Sequence, residues 1–257
     1  MTTLAPRIGR ATAGRIFIRR SLTHSWRETE TLIMSIALPA ILMALLTYVF
    51  GGALDPTGAY VNYVVPGIIL LAAGFGAAST AVSVSRDMTD GMIDRLRTVS
   101  FPHGAVIAGH VVASVARNLF ATVIVLGVAV AIGFRPTAGP LEWIAAALLV
   151  TLYLLVITYL FAAIGIVAGS AEAASGYGFF LLFLPYLSSA FVPVETMPGW
   201  LQWFAQRQPI TPITETLRAL LVGGEGQAVA ALGWCLGLLV LASALASVAF
   251  RRRLRAR

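Results

Sequence analysis

Of the 257 residues, 58% are hydrophobic and only 11% charged, whereas a soluble domain carries about 25% charged residues. A globule of this composition could not cover its surface with polar groups, so lipid must supply part of its solvent. All 18 basic residues are arginines and the net charge is +7, but these arginines flank long apolar runs instead of lining a groove, which argues against nucleic acid as a partner and for anionic lipid head groups.

The chain opens on a basic arm, residues 1–30, holding Arg7, Arg10, Arg15, Arg19, Arg20 and Arg27. Ile8, Ala11, Ile18, Leu22 and Trp26 recur there at roughly helical spacing, which predicts an amphipathic helix on the inner leaflet. A disordered basic tail is the alternative. The arm is too long for the basic region of a signal peptide, and no Ala-x-Ala site follows the apolar run Ile33–Phe50, so that run is read as a retained membrane helix.

Crossing a hydrocarbon core of about 30 Å takes roughly 20 apolar residues in a helix. Six segments meet this: Thr31 to Phe50, Tyr63 to Val84, Val111 to Phe134, Leu141 to Ala168, Tyr177 to Val194 and Val229 to Phe250. They are continuously apolar and do not alternate, which selects helices over a barrel. The predicted fold class is an all-α integral membrane protein with six transmembrane helices, forming one domain over 1–257. It consists of the arm, a membrane domain over 31–250 and a basic tail over 251–257.

The connection after the second segment, residues 86–104, begins Arg86-Asp-Met-Thr-Asp-Gly-Met-Ile-Asp-Arg-Leu-Arg-Thr. Met88, Met92 and Leu96 recur every fourth residue and form one apolar stripe on a helix, with Asp87, Asp90, Asp94, Arg95 and Arg97 around the rest. A soft methionine seam of this kind suits docking of a soluble partner. A solvated connector accounts for the same residues.

In the third segment stand Arg117 and Asn118. An intramembrane ionisable group is a functional candidate. Arg117, however, lies about 10 Å from the inner end of the predicted span, within reach of snorkelling to the head groups. No Asp or Glu falls in the middle of any span, which disfavours a proton- or sodium-coupled transporter. Glu172 falls in the tight inner turn between the fourth and fifth segments.

From Val194 to Ala228 runs an outer connection of about 34 residues, long for a linker. Pro198, Gly199, Pro209 and Pro212 punctuate it, and the apolar runs Trp200 to Ala205 and Ile213 to Val222 are too short to span. They predict two short helices that dip into or lie on the outer leaflet, after which Gly223 and Gly224 release the chain into the last span.

With the N-terminus inside, fourteen arginines fall on the inner side and three, Arg135, Arg207 and Arg218, on the outer side. The positive-inside rule therefore places both termini in the cytoplasm. Trp26 near the inner interface and Trp143, Trp200 and Trp203 near the outer one agree with the aromatic belt.

A chain without lysine cannot contain a Gly-x-x-x-x-Gly-Lys-Ser/Thr phosphate loop, so nucleotide, if it drives this protein, binds elsewhere. His24, His103 and His110 show no ligand spacing. The lone Cys235 reads as a small buried or lipid-facing hydrophobe. No catalytic, cofactor-binding or metal-binding residues are predicted.

Phe191-Val-Pro-Val-Glu-Thr-Met-Pro-Gly-Trp-Leu-Gln-Trp-Phe-Ala, followed by Gln208-Pro-Ile-Thr-Pro-Ile-Thr-Glu-Thr-Leu-Arg-Ala-Leu-Leu-Val-Gly-Gly, resembles the C-terminal signature of type-2 ABC exporter permeases. Within that family the daunorubicin-resistance permeases of actinobacteria are the branch resembled most. Leu38-Pro39 with Tyr48-Val-Phe-Gly, Tyr63-Val-Val-Pro-Gly, and Arg86-Asp through Arg95-Leu-Arg-Thr extend the resemblance over nearly the whole chain. Val99-Ser100, where the family usually has Leu-Pro, departs from it, the proline here being Pro102.

The resemblance implies the permease subunit of an ATP-driven multidrug exporter in the bacterial plasma membrane. Such a permease pairs with a second copy or a sister permease and with two copies of a separate ATP-binding subunit, where ATP and Mg bind. It implies ATPase docking by Arg86, Asp87, Met88, Met92, Asp94, Arg95, Leu96 and Arg97. It also implies an outer gate that includes Phe191, Pro193, Glu195, Pro198, Trp200, Pro209, Thr211 and Arg218. Cargo would pass between protomers along Gly-rich faces of the second and fifth spans, which suits a hydrophobic or amphiphilic compound. Export of a lipid or lipid-linked polysaccharide, and a passive channel or non-transporting scaffold, are the competing readings.

Overall fold

The computed structural model describes residues 29–55, 57–89 and 104–255, together with Ser21 and Thr23. The basic arm and most of the 86–104 connection, with Met92, Asp94, Arg95, Leu96 and Arg97, lie outside the described residues.

Among the described residues there are helices and no strands. Helix α1 (Thr29–Leu45) passes through a π-helical turn at Leu46–Phe50 into one more turn at Gly51–Leu54. Helices α2 (Tyr60–Thr89), α3 (Gly104–Ile132) and α4 (Pro140–Val167) follow. Then come the short α5 (Ala171–Leu181), 3-10 turns at Leu184–Leu187 and Val194–Thr196, α6 (Gly199–Arg207), α7 (Ile210–Val222) and α8 (Ala228–Arg255). Among the described residues, five helices are long and apolar enough to cross a membrane: α1 with its extension, α2, α3, α4 and α8.

Tyr177 to Val194 does not form the continuous fifth span that hydropathy predicts. Helix α5 has 11 residues and so runs about 16 Å. Pro185 opens a 3-10 turn and Ser188 is already extended. Hydropathy reports transfer into lipid, whereas helical continuity also needs each residue to donate its N–H to the ladder, which proline cannot. Two short helices, α6 and α7, form near the limits predicted for that connection.

Two sets of contacts identify the ends of the bundle. At one end Val84 and Met88 of α2, Ile107 and Val111 of α3, Ala162 and Ile166 of α4, and Ala246 and Phe250 of α8 pack into one buried cluster. There Arg253 Nη1 donates to the carbonyls of Ile166 (2.9 Å) and Ala168 (3.1 Å). It thereby supplies donors to a helix end with no basic residue in its own last turn. At the other end the Arg135 N–H donates to Asn62 Oδ1 and the Thr137 N–H to the Leu221 carbonyl, both at 2.9 Å. The chain leaves the first end at Ser170, whose hydroxyl caps α5, and Phe191 is held at the second end by Tyr60. The segment 170–191 thus traverses the bundle as a broken element.

Helix α2 lies at the centre, packed by α1, α3, α4, α5 and α7. Val64, Val65, Ile68, Leu70 and Leu71 are fully buried. A Cβ on Gly67 would stand 2.6 Å from the Ala190 Cβ, and one on Gly76 would collide with Asn118 Oδ1. The α2 glycines expected to face a cargo path are thus covered by other parts of the same chain, as is Gly178 of the fifth segment by Phe161, whereas Gly176 is open. The apolar residues left outside include Ile33, Met34 and Ile41 on α1, Val123 on α3, and Val229, Val240 and Leu241 on α8, as lipid-facing surface requires.

Candidate functional site at the broken fifth segment

Non-helical backbone at membrane depth is tolerated only where other groups satisfy its N–H and C=O. Between Leu187 and Phe191 those groups are side chains of α2 and the α6–α7 unit. The Tyr60 hydroxyl donates to the Phe191 carbonyl (2.6 Å), and the Tyr63 hydroxyl to the Ser189 carbonyl (2.9 Å). Arg218 Nη2 also donates to the Ser189 carbonyl (2.7 Å), and Arg218 Nε to the Tyr63 carbonyl (3.2 Å). Gln208 Nε2 donates to the Leu187 carbonyl (3.3 Å), the Ser189 N–H to Thr211 Oγ1 (3.3 Å), and the Ala190 N–H to Ser188 Oγ (3.1 Å).

The local sequence explains why these side chains converge. Tyr60 and Tyr63 are one turn apart at the start of α2, with rings stacked 6.1 Å apart, so both hydroxyls reach the same non-helical turn. Pro209 caps α7, whose inner face buries Ile210, Thr211, Ile213, Thr214, Leu217 and Leu221. Arg218 stands beside that face, with its guanidinium carbon 3.8 Å from the Tyr63 ring centroid. A planar cation with a five-donor fork can serve two carbonyls and a π-face together, which an ammonium cannot.

Of the gate residues expected from the sequence, Phe191, Thr211 and Arg218 meet in this network. Pro193 and Pro198 are the residues immediately before the Val194–Thr196 turn and α6. The Glu195 carbonyl accepts from Gln202 Nε2 (3.2 Å). Trp200 points outward, 75% exposed, away from the network. Tyr60, Ser189 and Gln208 were missed by sequence reasoning, as was the role of Tyr63. The two serines inside an apolar run and the i, i+3 tyrosine pair were the available signals.

Along the outside of the broken segment runs an aromatic row. Phe179 and Phe183 meet edge to face at 4.8 Å, and Tyr186 lies 5.1 Å from Phe191. Phe180, Tyr177, Phe179, Phe183 and Tyr186 are all exposed.

Arg117 turns onto α2. It is 4% exposed, and Nη2 donates to the Gly76 carbonyl (2.9 Å) and Ser79 Oγ (2.5 Å) of α2. Helix α3 starts at Gly104, so Arg117 lies about 20 Å along it. Asn118 Nδ2 donates to Ser114 Oγ, and Thr80 donates to the same oxygen, making a polar seam where α2 and α3 approach closely.

At the end of the bundle that carries Phe250, Met88 is turned into the buried cluster and Arg86 is exposed. Asp87 Oδ2 lies 2.9 Å from His110 Nε2 on α3. Glu172 is exposed in the first turn of α5.

A family model described as ABC-2 type transporter matches residues 12–222. The chain is 32% identical over 247 residues to the daunorubicin resistance ABC transporter permease protein DrrB1 of Streptomyces coeruleorubidus, covering 93% of this chain and 84% of that one. It is 25% identical over 260 residues to the probable doxorubicin resistance ABC transporter permease protein DrrC of Mycobacterium tuberculosis, covering 95% and 92%.

Proposed function

Because this chain belongs to the ABC-2 type transporter family, we propose that it is the permease subunit of an ATP-driven exporter that moves a hydrophobic or amphiphilic, drug-like compound out of the cell. The observation that carries this reading is the joining of a lysine-free, membrane-length bundle to close similarity with drug-resistance permeases over most of the chain. Without a phosphate-loop lysine, ATP and Mg bind on a separate subunit, two copies of which serve a pair of permeases.

In this reading the chain crosses the membrane six times, the broken segment 170–191 making the fifth crossing. The end of the bundle bearing Arg86 and Arg251–Arg253 is cytoplasmic, in keeping with the arginine bias. Helix α6 exposes Trp200 and Trp203 and lies on the outer leaflet, while α7, packed against α2, α4 and α8, is the re-entrant element. Cargo passes between two protomers along the aromatic row of the fifth segment, since the glycines of α2 are covered within the protomer. The tyrosine and arginine network fixes the outer end of that row and serves as the gate hinge. Nucleotide binding on the partner rocks the two protomers.

The test is transport in inverted vesicles with daunorubicin as a fluorescent probe. Vesicles with this chain and its ATP-binding partner subunit should accumulate daunorubicin only when ATP is supplied, and vesicles with either chain alone should not. ATP-independent accumulation by this chain alone would overturn the proposal.

A further inference from the structure

We propose that Asp87 and His110 form a clasp that couples the cytoplasmic loop to the bundle, which makes them positioning residues for energy transfer and not contacts to the ATPase. This role rests on the exporter reading above. His110 Nε2 and Asp87 Oδ2 are 2.9 Å apart, with the two side chains 11% and 19% exposed. A carboxylate accepts only, so Nε2 carries the hydrogen, and the contact holds whether the imidazole is neutral or protonated.

The placement of Asp87 is otherwise unfavourable. It sits in the last turn of α2, where the negative end of the helix dipole opposes an acid. A tertiary partner explains it there. The next residue, Met88, is 4% exposed and packs with Ile107 and Val111 of α3. Two consecutive residues of α2 therefore grip α3, one by a hydrogen bond and one by packing.

The consequence is mechanical. Segment 90–103 leaves α2 after Thr89 and enters α3 at Gly104. Unheld helix ends fray at little cost, and a frayed turn would absorb a push applied to the loop. With the clasp closed, the last turn of α2 and the start of α3 move as one lever, and α2 carries that movement to Tyr60 and Tyr63 at its far end. An Asp87 that docked a partner directly would turn outward. Here it turns back onto α3.

The experiment uses the permease with its ATP-binding subunit in inverted vesicles, with the daunorubicin probe, and compares Asp87→Ala, His110→Ala, His110→Gln and the swap Asp87→His with His110→Asp. Each alanine variant should keep the subunit within about two-fold on copurification while ATP-dependent uptake falls about ten-fold and more ATP is spent per probe molecule moved. His110→Gln, which retains an N–H donor, and the swap should return to within about three-fold of the parent. Alanine variants that transport like the parent would overturn the clasp. So would loss of copurification that the swap does not restore, because that assigns the residues to direct docking. A parent chain that retains no ATP-binding subunit overturns the exporter reading and this role with it, a result seen before any variant is compared.

Discussion

Arg218 and Tyr63 hold the same acceptor: the guanidinium and the phenol hydroxyl both donate to the Ser189 carbonyl, at 2.7 and 2.9 Å, while the guanidinium lies over the phenol ring. One carbonyl exposed by a broken helix is thereby saturated from two elements. Losing either donor should have graded and distinct effects.

Tyr63→Phe keeps the ring and removes one of the two donors, so it should cost about 0.6 to 1 kcal/mol, the usual worth of an interhelical hydrogen bond in a membrane protein. Arg218→Ala removes two charge-assisted bonds and the cation–π contact and should cost about 2 to 4 kcal/mol. Arg218→Lys should fall nearer to alanine than to arginine, because an ammonium cannot reproduce the fork. Thermal unfolding of the detergent-purified chain measures all three.

Gly67 and Gly127 should respond oppositely to the same change. A Cβ at Gly67 meets Ala190 at 2.6 Å, with the backbone of that residue at 2.7 Å, whereas nothing lies within 4 Å at Gly127. Gly67→Ala should destabilise by about 1 to 3 kcal/mol by forcing α2 off the broken segment. Gly127→Ala should be neutral or stabilising by up to about 1 kcal/mol, since alanine loses less backbone entropy in a helix. Equal melting temperatures for the two variants would contradict the packing described.

Arg252 and Arg253 are adjacent and both basic, yet only Arg253 has its side chain on the α4 carbonyls. Arg253→Ala should lose about 1 to 2 kcal/mol, the worth of charge-assisted bonds to a helix C-terminus. Arg252→Ala, on an exposed side chain, should stay within about 0.5 kcal/mol of the parent. Parallel unfolding curves of the two variants decide it.

Cysteine labelling tests the orientation. In a Cys235→Ser background, itself a small change at a buried site, Thr57→Cys and Glu225→Cys should react with a membrane-impermeant maleimide on intact cells. Arg86→Cys and Glu172→Cys should react only after permeabilisation. These two pairs occupy opposite ends of the bundle, so the opposite pattern would invert the assigned topology.

Much of this architecture was legible in the residues. A core of about 30 Å imposes a length on any helix that crosses it, and that constraint located α1 to α4 and α8, although α3 begins at Gly104, well before the expected Val111. The short apolar runs between prolines marked α6 and α7. Where the chain stops being helical within an apolar run was decided by tertiary structure. Ser188 to Phe191 can leave the helix because Tyr60, Tyr63, Gln208, Thr211 and Arg218, distant in sequence, arrive to bond its backbone. Hydropathy measures how readily each residue leaves water, but which partner satisfies a carbonyl once there is a property of the packed bundle. For the same reason Arg117, within snorkelling reach on paper, turned to Gly76, and Met88, on an apolar stripe, turned inward.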